Sequence, residues 1–215
     1  MPKTTDIRVC EVGIGYEEYL YRAPLKFGGM VVANATILNV TIQVENGAGR
    51  RAEGFGSMPL GNIWSFPSQR VAPDQSLEAM KRLAGRMAEA IRQLRENAHP
   101  IDLAIALEPQ FLNLAAEVSR DLNLPEPIPK LCALVTASPF DAALHDGFGK
   151  VNGINGYDGL GGEFMAHDLA NYLNDDFRGE YLDRYTLRKP KPRMPLYHLI
   201  GALDPLTDAD IAQRI

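Results

Sequence analysis

Residues 31–45 read VVANATILNVTIQVE, and Asn46-Gly47 follows at once. The run is free of proline and glycine and rich in Val, Ile and Thr, and it places Val31, Ala33, Ala35 and Ile37 on one parity. Such a stretch fits a long strand, because β-branched side chains pack well on a pleated surface and alternate between its faces. Asn-Gly readily joins antiparallel strands, since both residues accept positive φ. A hairpin is therefore expected, with the return strand over residues 50–56. Residues 7–14 alternate loosely and supply a third strand, so the chain should open with a three-stranded antiparallel meander.

Outward from that hairpin, residues 16–29 carry four aromatics, Pro24, Lys26 and a glycine pair, the composition of a mobile loop. Residues 57–73 form a second such loop, with Trp64, Phe66 and three prolines. Aromatics in loops of this kind point to contact with a ligand or a partner subunit. A helical middle follows. Residues 77–94 place apolar side chains at 77, 80, 83, 84, 87, 91 and 94, one face of a 3.6-period helix, with Asp74 or Ser76 as its cap. Residues 102–122 repeat the pattern through Leu107, Phe111, Leu114, Ala115, Val118 and Leu122, ending before Pro125. A third helical stretch covers 129–148. It should break at Pro139, which lacks an amide donor and clashes with the preceding turn. Ser138-Pro139-Phe140-Asp141 would restart it as a capping box, and Gly147 and Gly149 would end it.

The fold class read from this order is α+β, a three-stranded antiparallel meander followed by a helical bundle. Residues 1–150 make the main domain, and residues 151–193 an irregular linker opening on five glycines. Residues 194–215 hold a short apolar strand (MPLYHLIGAL, 194–203) and the opening of a helix capped by Thr207 or Asp208.

Composition narrows the function. The 215 residues are 46% hydrophobic and 23% charged, with a net charge of -5, which offers a nucleic acid no electrostatic footprint. No apolar run approaches the roughly 20 residues that span a bilayer, and residues 1–14 lack the features of a signal peptide, so neither a membrane nor export is expected and the location read is cytoplasmic. Cys10 and Cys132 are the only cysteines, too few for a disulfide framework, and read as reduced core filler.

Other motifs carry less chemistry. The glycines at 153–162 follow a helix rather than a strand and fit no phosphate-loop spacing. His145-Asp146 and His167-Asp168 resemble paired ligands of metal-dependent phosphohydrolases, but the chain has four histidines in all, and neighbours on a helix diverge by about 100°. The plainer reading puts His145 at a helix end, favoured by the dipole, with Asp146 facing water. Ser57, Ser65 and Ser68 lack a G-x-S-x-G elbow.

Taken together, Pro24-Leu25-Lys26-Phe27-Gly28, the strand ending Glu45-Asn46-Gly47-Ala48-Gly49, three helices, and residues 138–150 (SPFDAALHDGFGK) resemble the N-terminal capping domain of the enolase superfamily, on its mandelate racemase and muconate-lactonising side. The last stretch is the most specific, similar to that family's A-L-x-D-x-x-G-K. The resemblance implies that a modified (β/α)₈ barrel follows the cap, with residues 194–203 similar to its first strand. It also implies the chemistry of a racemase, epimerase, dehydratase or cycloisomerase: a lysine or histidine removes the proton beside a carboxylate, and magnesium stabilises the dianion that forms. Those base and acidic groups belong to later barrel strands, so no catalytic residue and no metal ligand is expected in this chain, and Mg2+ is the cofactor of the parent family alone. Only 20 residues follow Pro195, against about 250 for a barrel, so the chain is expected to be inactive by itself. By the same resemblance Tyr16, Tyr19, Lys26, Phe27, Met58 and Trp64 would close over the barrel mouth and bind substrate, with Lys26 meeting an anionic group. The implied partners are a small carboxylate and, in a homo-oligomer, further copies of the chain. Two features depart from the family: Ser57 follows Gly56 where an acid is frequent, and the stretch 153–193 is long for a cap-to-barrel link. The rival reading is a stand-alone binding or oligomerisation module that kept the cap fold.

Overall fold

The computed structural model describes residues 3–27, 29–187, 189, 191–197, 200–201 and 204–212. Its first three elements, β1 (Ile7–Phe27), β2 (Met30–Asn46) and β3 (Arg51–Pro59), form one antiparallel sheet in sequence order, the expected meander. Alternation decides its two faces. Leu38, Val40, Ile42 and Val44 of β2 are fully buried, whereas the parity that begins with Val31, Ala33 and Ala35 points the other way. Near the β2–β3 turn that outer face is polar: Glu45 accepts from Arg8 on β1 at 2.7 Å and from Arg51 on β3 at 2.6 Å. The sheet therefore has one packed face and one wet one.

Residues 16–27 are a strand rather than a loop. Tyr16 pairs with Leu38 and Leu20 with Asn34; after an irregularity Leu25 pairs with Val32 and Phe27 with Met30. Pro24 lies inside the irregularity, where no ladder amide is required of it, and the aromatics that suggested a loop are good strand formers. The second expected loop is also shorter, because β3 continues to Pro59 and a short helix, α1 (Asn62–Ser65), follows. The turn between β2 and β3 sits where Asn46-Gly47 placed it but works differently. The Asn46 side-chain oxygen accepts from the amides of Ala48 and Arg50, both at 3.1 Å, and Gly49 supplies the positive φ of 75°.

Of three long helices, α2 (Pro73–Arg92) and α4 (Lys130–Asn152) cover the inner face, and α3 (Pro100–Asp121) packs against both of them. Pro73 and Pro100 occupy first turns, where a fixed φ suits the helix and no amide partner is missing. Helix α2 thus starts before Asp74 and Ser76, with Ala72 as its N-cap. Helix α4 runs unbroken through Pro139, against the expected interruption. An interior proline costs about 3 kcal/mol. Phe140, Ala143, Leu144 and Phe148 are all buried on the same helix, and fully burying one large apolar side chain is worth about 1.5–3 kcal/mol, so packing wins. The helix ends at Gly153, in the left-handed conformation with φ 68°, and Gly147 instead lies against Val44.

Gly54 and Gly56 set the distance between β3 and α4. A Cβ on Gly54 would stand 2.0 Å from the Ala143 carbonyl oxygen, and one on Gly56 would stand 1.9 Å from that of Pro139. The sheet and helix touch backbone to backbone there.

The long segment after α4 forms four 3-10 turns, Gly156–Leu160, Leu169–Asn171, Asp175–Phe177 and Leu182–Arg184. It is fastened to the rest of the chain: Lys3 Nζ donates to the carbonyls of Gly162 and Glu163 at 2.6 and 2.8 Å, and the Tyr172 hydroxyl to Asp102 at 2.5 Å. Of the strand expected over 194–203, His198, Leu199, Ala202 and Leu203 lie outside the described residues, and the described remainder is in no strand. A strand is made by a ladder with a neighbour, and no described residue pairs with this stretch. Helix α5 (Asp208–Ala212) begins just after Thr207, as its capping residues suggested; residues 213–215 lie outside the described residues. Cys132 is buried core, whereas Cys10 is exposed at an irregularity of β1 and so is not core filler.

Candidate functional site

Strand β3 accompanies β2 only from Ile37 to Glu45, while β1 and β2 stay paired out to Phe27 and Met30. The ends of β1 and β2 therefore project beyond the third strand as a two-stranded ribbon. Directly opposed residues of an antiparallel pair share a face. Leu38 is buried, so its partners Tyr16 on β1 and Met58 on β3 lie on the inner face. Two-residue steps along β2 carry that face out through Thr36, Asn34 and Val32 to Met30, and hence to Phe27 opposite it.

The root of the ribbon is anchored to α2. The Tyr16 hydroxyl donates to the Lys81 carbonyl at 3.0 Å, and the Lys81 ammonium stands 5.4 Å from the Tyr16 ring centre. Lys81 also pairs with Glu18 at 3.3 Å, and Glu18 accepts from the Thr36 hydroxyl at 2.7 Å. The Thr36 hydrogen bond, helped by Lys81, holds the Glu18 carboxyl below its usual range. Burial raises the Tyr16 phenol, with Glu78 adding to it.

Past the anchor, the inner face of the ribbon overhangs α1 and the turn after it. A cavity of about 650 Å³ opens there, lined by Phe27, Met30, Ile63, Trp64 and Phe66, with Asn62 as a polar member. Phe27 and Trp64 are 47% and 42% exposed, a large apolar surface left facing open space. Asn62 is held in place, donating to the Pro73 carbonyl at 2.8 Å and to Ser76 Oγ at 2.9 Å.

The six residues named from the sequence therefore divide. Phe27 and Trp64 line one cavity. Tyr16 and Met58 share its sheet face nearer the core, where Tyr16 anchors the ribbon and Met58 packs against the hydrophobic cluster. Tyr19 and Lys26 have the opposite parity, opposed by Ala35 and Val31, and belong to the outer face; the Tyr19 hydroxyl donates to Glu17. Phe66, singled out with the loop aromatics though not among the six, lines the cavity too, whereas Met30 and Ile63 were missed. Reading β1 as a strand out to residue 27 would have placed Met30 opposite Phe27.

The aspartates of both His-Asp pairs have structural partners. Asp146, still partly exposed to water, accepts from the Phe55 amide at 2.8 Å and pairs with Lys150 at 2.7 Å, so it also satisfies the edge of β3. Asp168 accepts from the amides of Ala170 at 3.1 Å and Gly179 at 2.7 Å, which depress its carboxyl. His145 Nδ1 is buried with no hydrogen-bond partner among the described residues and lies 3.9 Å from Asp141; burial lowers the imidazole's pKa. His99 is 1% exposed, accepts from the Ile101 amide through Nδ1 at 3.3 Å, and therefore donates through Nε2 to the Gly159 carbonyl at 3.1 Å. Burial pushes its pKa down to about 4. Among the described residues no three His, Cys, Asp or Glu side chains converge as a metal site would require. Nor is any helix among them long and apolar enough to cross a membrane.

No family model matches the chain, and no curated protein does. Among solved structures it is similar to an enolase from Bradyrhizobium complexed with magnesium and mandelic acid, at 14% identity and a TM-score of 0.44 over 73% of this chain and 35% of that one. It is similar also to a dipeptide epimerase from Enterococcus faecalis complexed with magnesium and a dipeptide, at 14% identity and a TM-score of 0.43 over 72% and 35%. An L-talarate/galactarate dehydratase from Salmonella typhimurium gives 15% identity and a TM-score of 0.40 over 73% and 34%. The chain spans about a third of the length of these structures.

Proposed function

We propose that this chain is the capping part of an enolase-superfamily enzyme of the mandelate racemase and muconate-lactonising type, and that its ribbon and α1 select the substrate, a small carboxylate. The observation that carries this reading is the overhang: Phe27 and Met30, at the end of a ribbon anchored by Tyr16 and Lys81, face Trp64 across an open cavity. Supporting it is the resemblance of residues 138–150, the same helix that fixes β3 and so holds Met58 beside Leu38. A rigid sheet with an apolar extension suits a device that closes over a reacting centre and excludes water. In this reading Phe27, Met30 and Trp64 contact the part of the substrate remote from the reacting carbon. Lys26 sits on the outer parity and is not assigned to the anion. Among the described residues no cluster of side chains fits magnesium, and no chemical step is assigned to the proposed cap.

The test is a chimera in which residues 3–187 replace the cap of the dipeptide epimerase named above, assayed for exchange of the substrate α-proton in D2O across a panel of mandelates, dipeptides and aldarates. Phe27→Ala and Trp64→Ala should change the ratio of kcat/KM between two substrates by about tenfold while leaving exchange detectable. Unchanged ratios in both variants would refute the assignment. So would α-proton exchange by the purified chain alone, which would place a base and its metal within it.

A further inference from the structure

The long segment after α4 does more than fasten itself to the helices: together with them it bounds a second cavity, away from the ribbon. A groove of about 910 Å³ lies between α3, α4 and the turn Gly156–Leu160. Ile101 and Ile105 of α3 supply apolar wall on one side, and Ile154, Leu160 and Leu182 supply it from the segment. A pocket of this size and apolarity suits a small molecule, whose orientation is then set by a few polar groups.

Those groups lie along α4. Asp146 and Lys150 neutralise each other at 2.7 Å, and Asp146 also holds the Phe55 amide. Asp141 is placed differently. Its side chain is 53% exposed, and its one partner among the described residues is His145, 3.9 Å away. That separation is too long for a hydrogen bond, and burial favours the neutral imidazole. Asp141 therefore carries the uncompensated charge of the groove, and the buried His145 Nδ1 has no donor. With the ring proton on Nε2, these are two acceptors spaced so that one donor atom can reach both. A hydroxyl has a single hydrogen to give and a carboxylate none. A primary ammonium has three, and it brings the charge that Asp141 lacks. The C-terminus of α4 at Gly153, also on the groove wall, adds its carbonyl dipoles in the same sense.

We infer that this groove binds a small apolar primary amine in its ammonium form, the ammonium donating to Asp141 and His145 Nδ1 and the apolar body lying between Ile105 and Leu160. His145 Nδ1 is closed to solvent, so the ammonium reaches it by a turn of the half-exposed Asp141 side chain, which no other described residue holds. Because the ligand touches α4 and the segment at once, its binding clamps residues 154–182 onto the helices. The inference is independent of the cap reading: a chain that bound no amine would leave that reading standing, and an unresponsive chimera would leave this site standing.

The experiment is an amide NMR titration of the purified full chain near neutral pH with three probes of similar shape, 2-phenylethylammonium, 2-phenylethanol and 3-phenylpropionate, for the wild type, Asp141→Asn and Ile105→Arg. Both positions are about half exposed, and far-UV circular dichroism checks that the fold is kept. The ammonium should saturate with a dissociation constant of about 1 mM or below, shift the amides of α4 and of residues 154–182, and slow their exchange. The alcohol should bind at least about fivefold more weakly, and the carboxylate more weakly still. Asp141→Asn should bring the ammonium down to the affinity of the alcohol while leaving the alcohol unchanged, and Ile105→Arg should weaken both. Binding of either other probe as tight as that of the ammonium overturns the inference, since it would mean an apolar groove with no site for the charged head. Ammonium binding indifferent to Asp141→Asn overturns it too, as do shifts confined to residues outside the groove, or no saturation up to about 10 mM.

Discussion

Replacing Gly56 by alanine tests the backbone contact on which the whole arrangement rests. A Cβ at that position would lie 1.9 Å from the Pro139 carbonyl oxygen, 2.8 Å from the Ala143 nitrogen and 2.9 Å from the Pro139 carbonyl carbon. All three are backbone atoms, so no rotamer change relieves the clash, and α4 must retreat from β3 by roughly 1.5 Å to restore ordinary contact. A gap of about 1 Å already forfeits up to half of the attraction between atoms facing across it. Phe140, Ala143 and Leu144 all lose contact together along the buried side of α4. Overpacked cores typically lose about 1–3 kcal/mol, and a helix displaced along a buried seam belongs at or just beyond that limit, so a loss of about 3–4 kcal/mol is expected. For a chain of this size that is a fall in Tm of roughly 10 °C. Urea unfolding followed by circular dichroism should show the midpoint fall with little change in slope. Gly85→Ala is the matched control: it sits within α2 with nothing inside 4 Å of the added carbon, so the better helix former should stabilise by about 0.5–1 kcal/mol. If Gly56→Ala fell within 1 kcal/mol of wild type while Gly85→Ala behaved as expected, the close seam would be refuted.

Tyr16→Phe removes the hydrogen bond to the Lys81 carbonyl and should cost about 1 kcal/mol; faster amide exchange confined to the ribbon, measured by mass spectrometry, would mark the anchor. His99 takes up its proton more readily unfolded than folded, because burial depresses its folded pKa to about 4 against the usual 6.5. Its contribution is therefore complete above about pH 7 and is lost, at roughly 1 kcal/mol per pH unit, as pH falls from 6.5 toward 4. His145, also lowered by burial, adds in the same direction, and denaturant midpoints across that window in wild type and His99→Gln should show a shallower slope in the variant. Native protein should present one thiol to a disulfide reagent and unfolded protein two, since Cys10 is exposed while Cys132 is fully buried with its pKa pushed up to about 11.

The meander and the three helices were legible because each rests on a local rule. Alternation from Leu38 to Val44 is enough for a strand, and the 3.6-residue spacing from Leu77 to Ile91 is enough for a helix. What was misread depends on contacts between elements distant in sequence. Pro139 looks like a helix breaker until Gly54 and Gly56 are known to bring β3 onto α4, where burial outweighs one missing hydrogen bond. Pro24 looks like a strand breaker until β1 proves to have an irregularity there that requires no amide. The candidate site follows the same logic. Composition singled out the aromatic segments, but composition cannot assign a face, and a strand shows opposite faces at successive residues. Phe27 and Lys26 are neighbours in sequence, yet the pairings Phe27 with Met30 and Lys26 with Val31 send them to opposite sides of the ribbon. A loop could have turned both toward one ligand; a strand turns only one of them. The extended backbone from Tyr16 to Phe27 is thus what makes Phe27, Met30 and Trp64 one surface and leaves Tyr19 and Lys26 outside it.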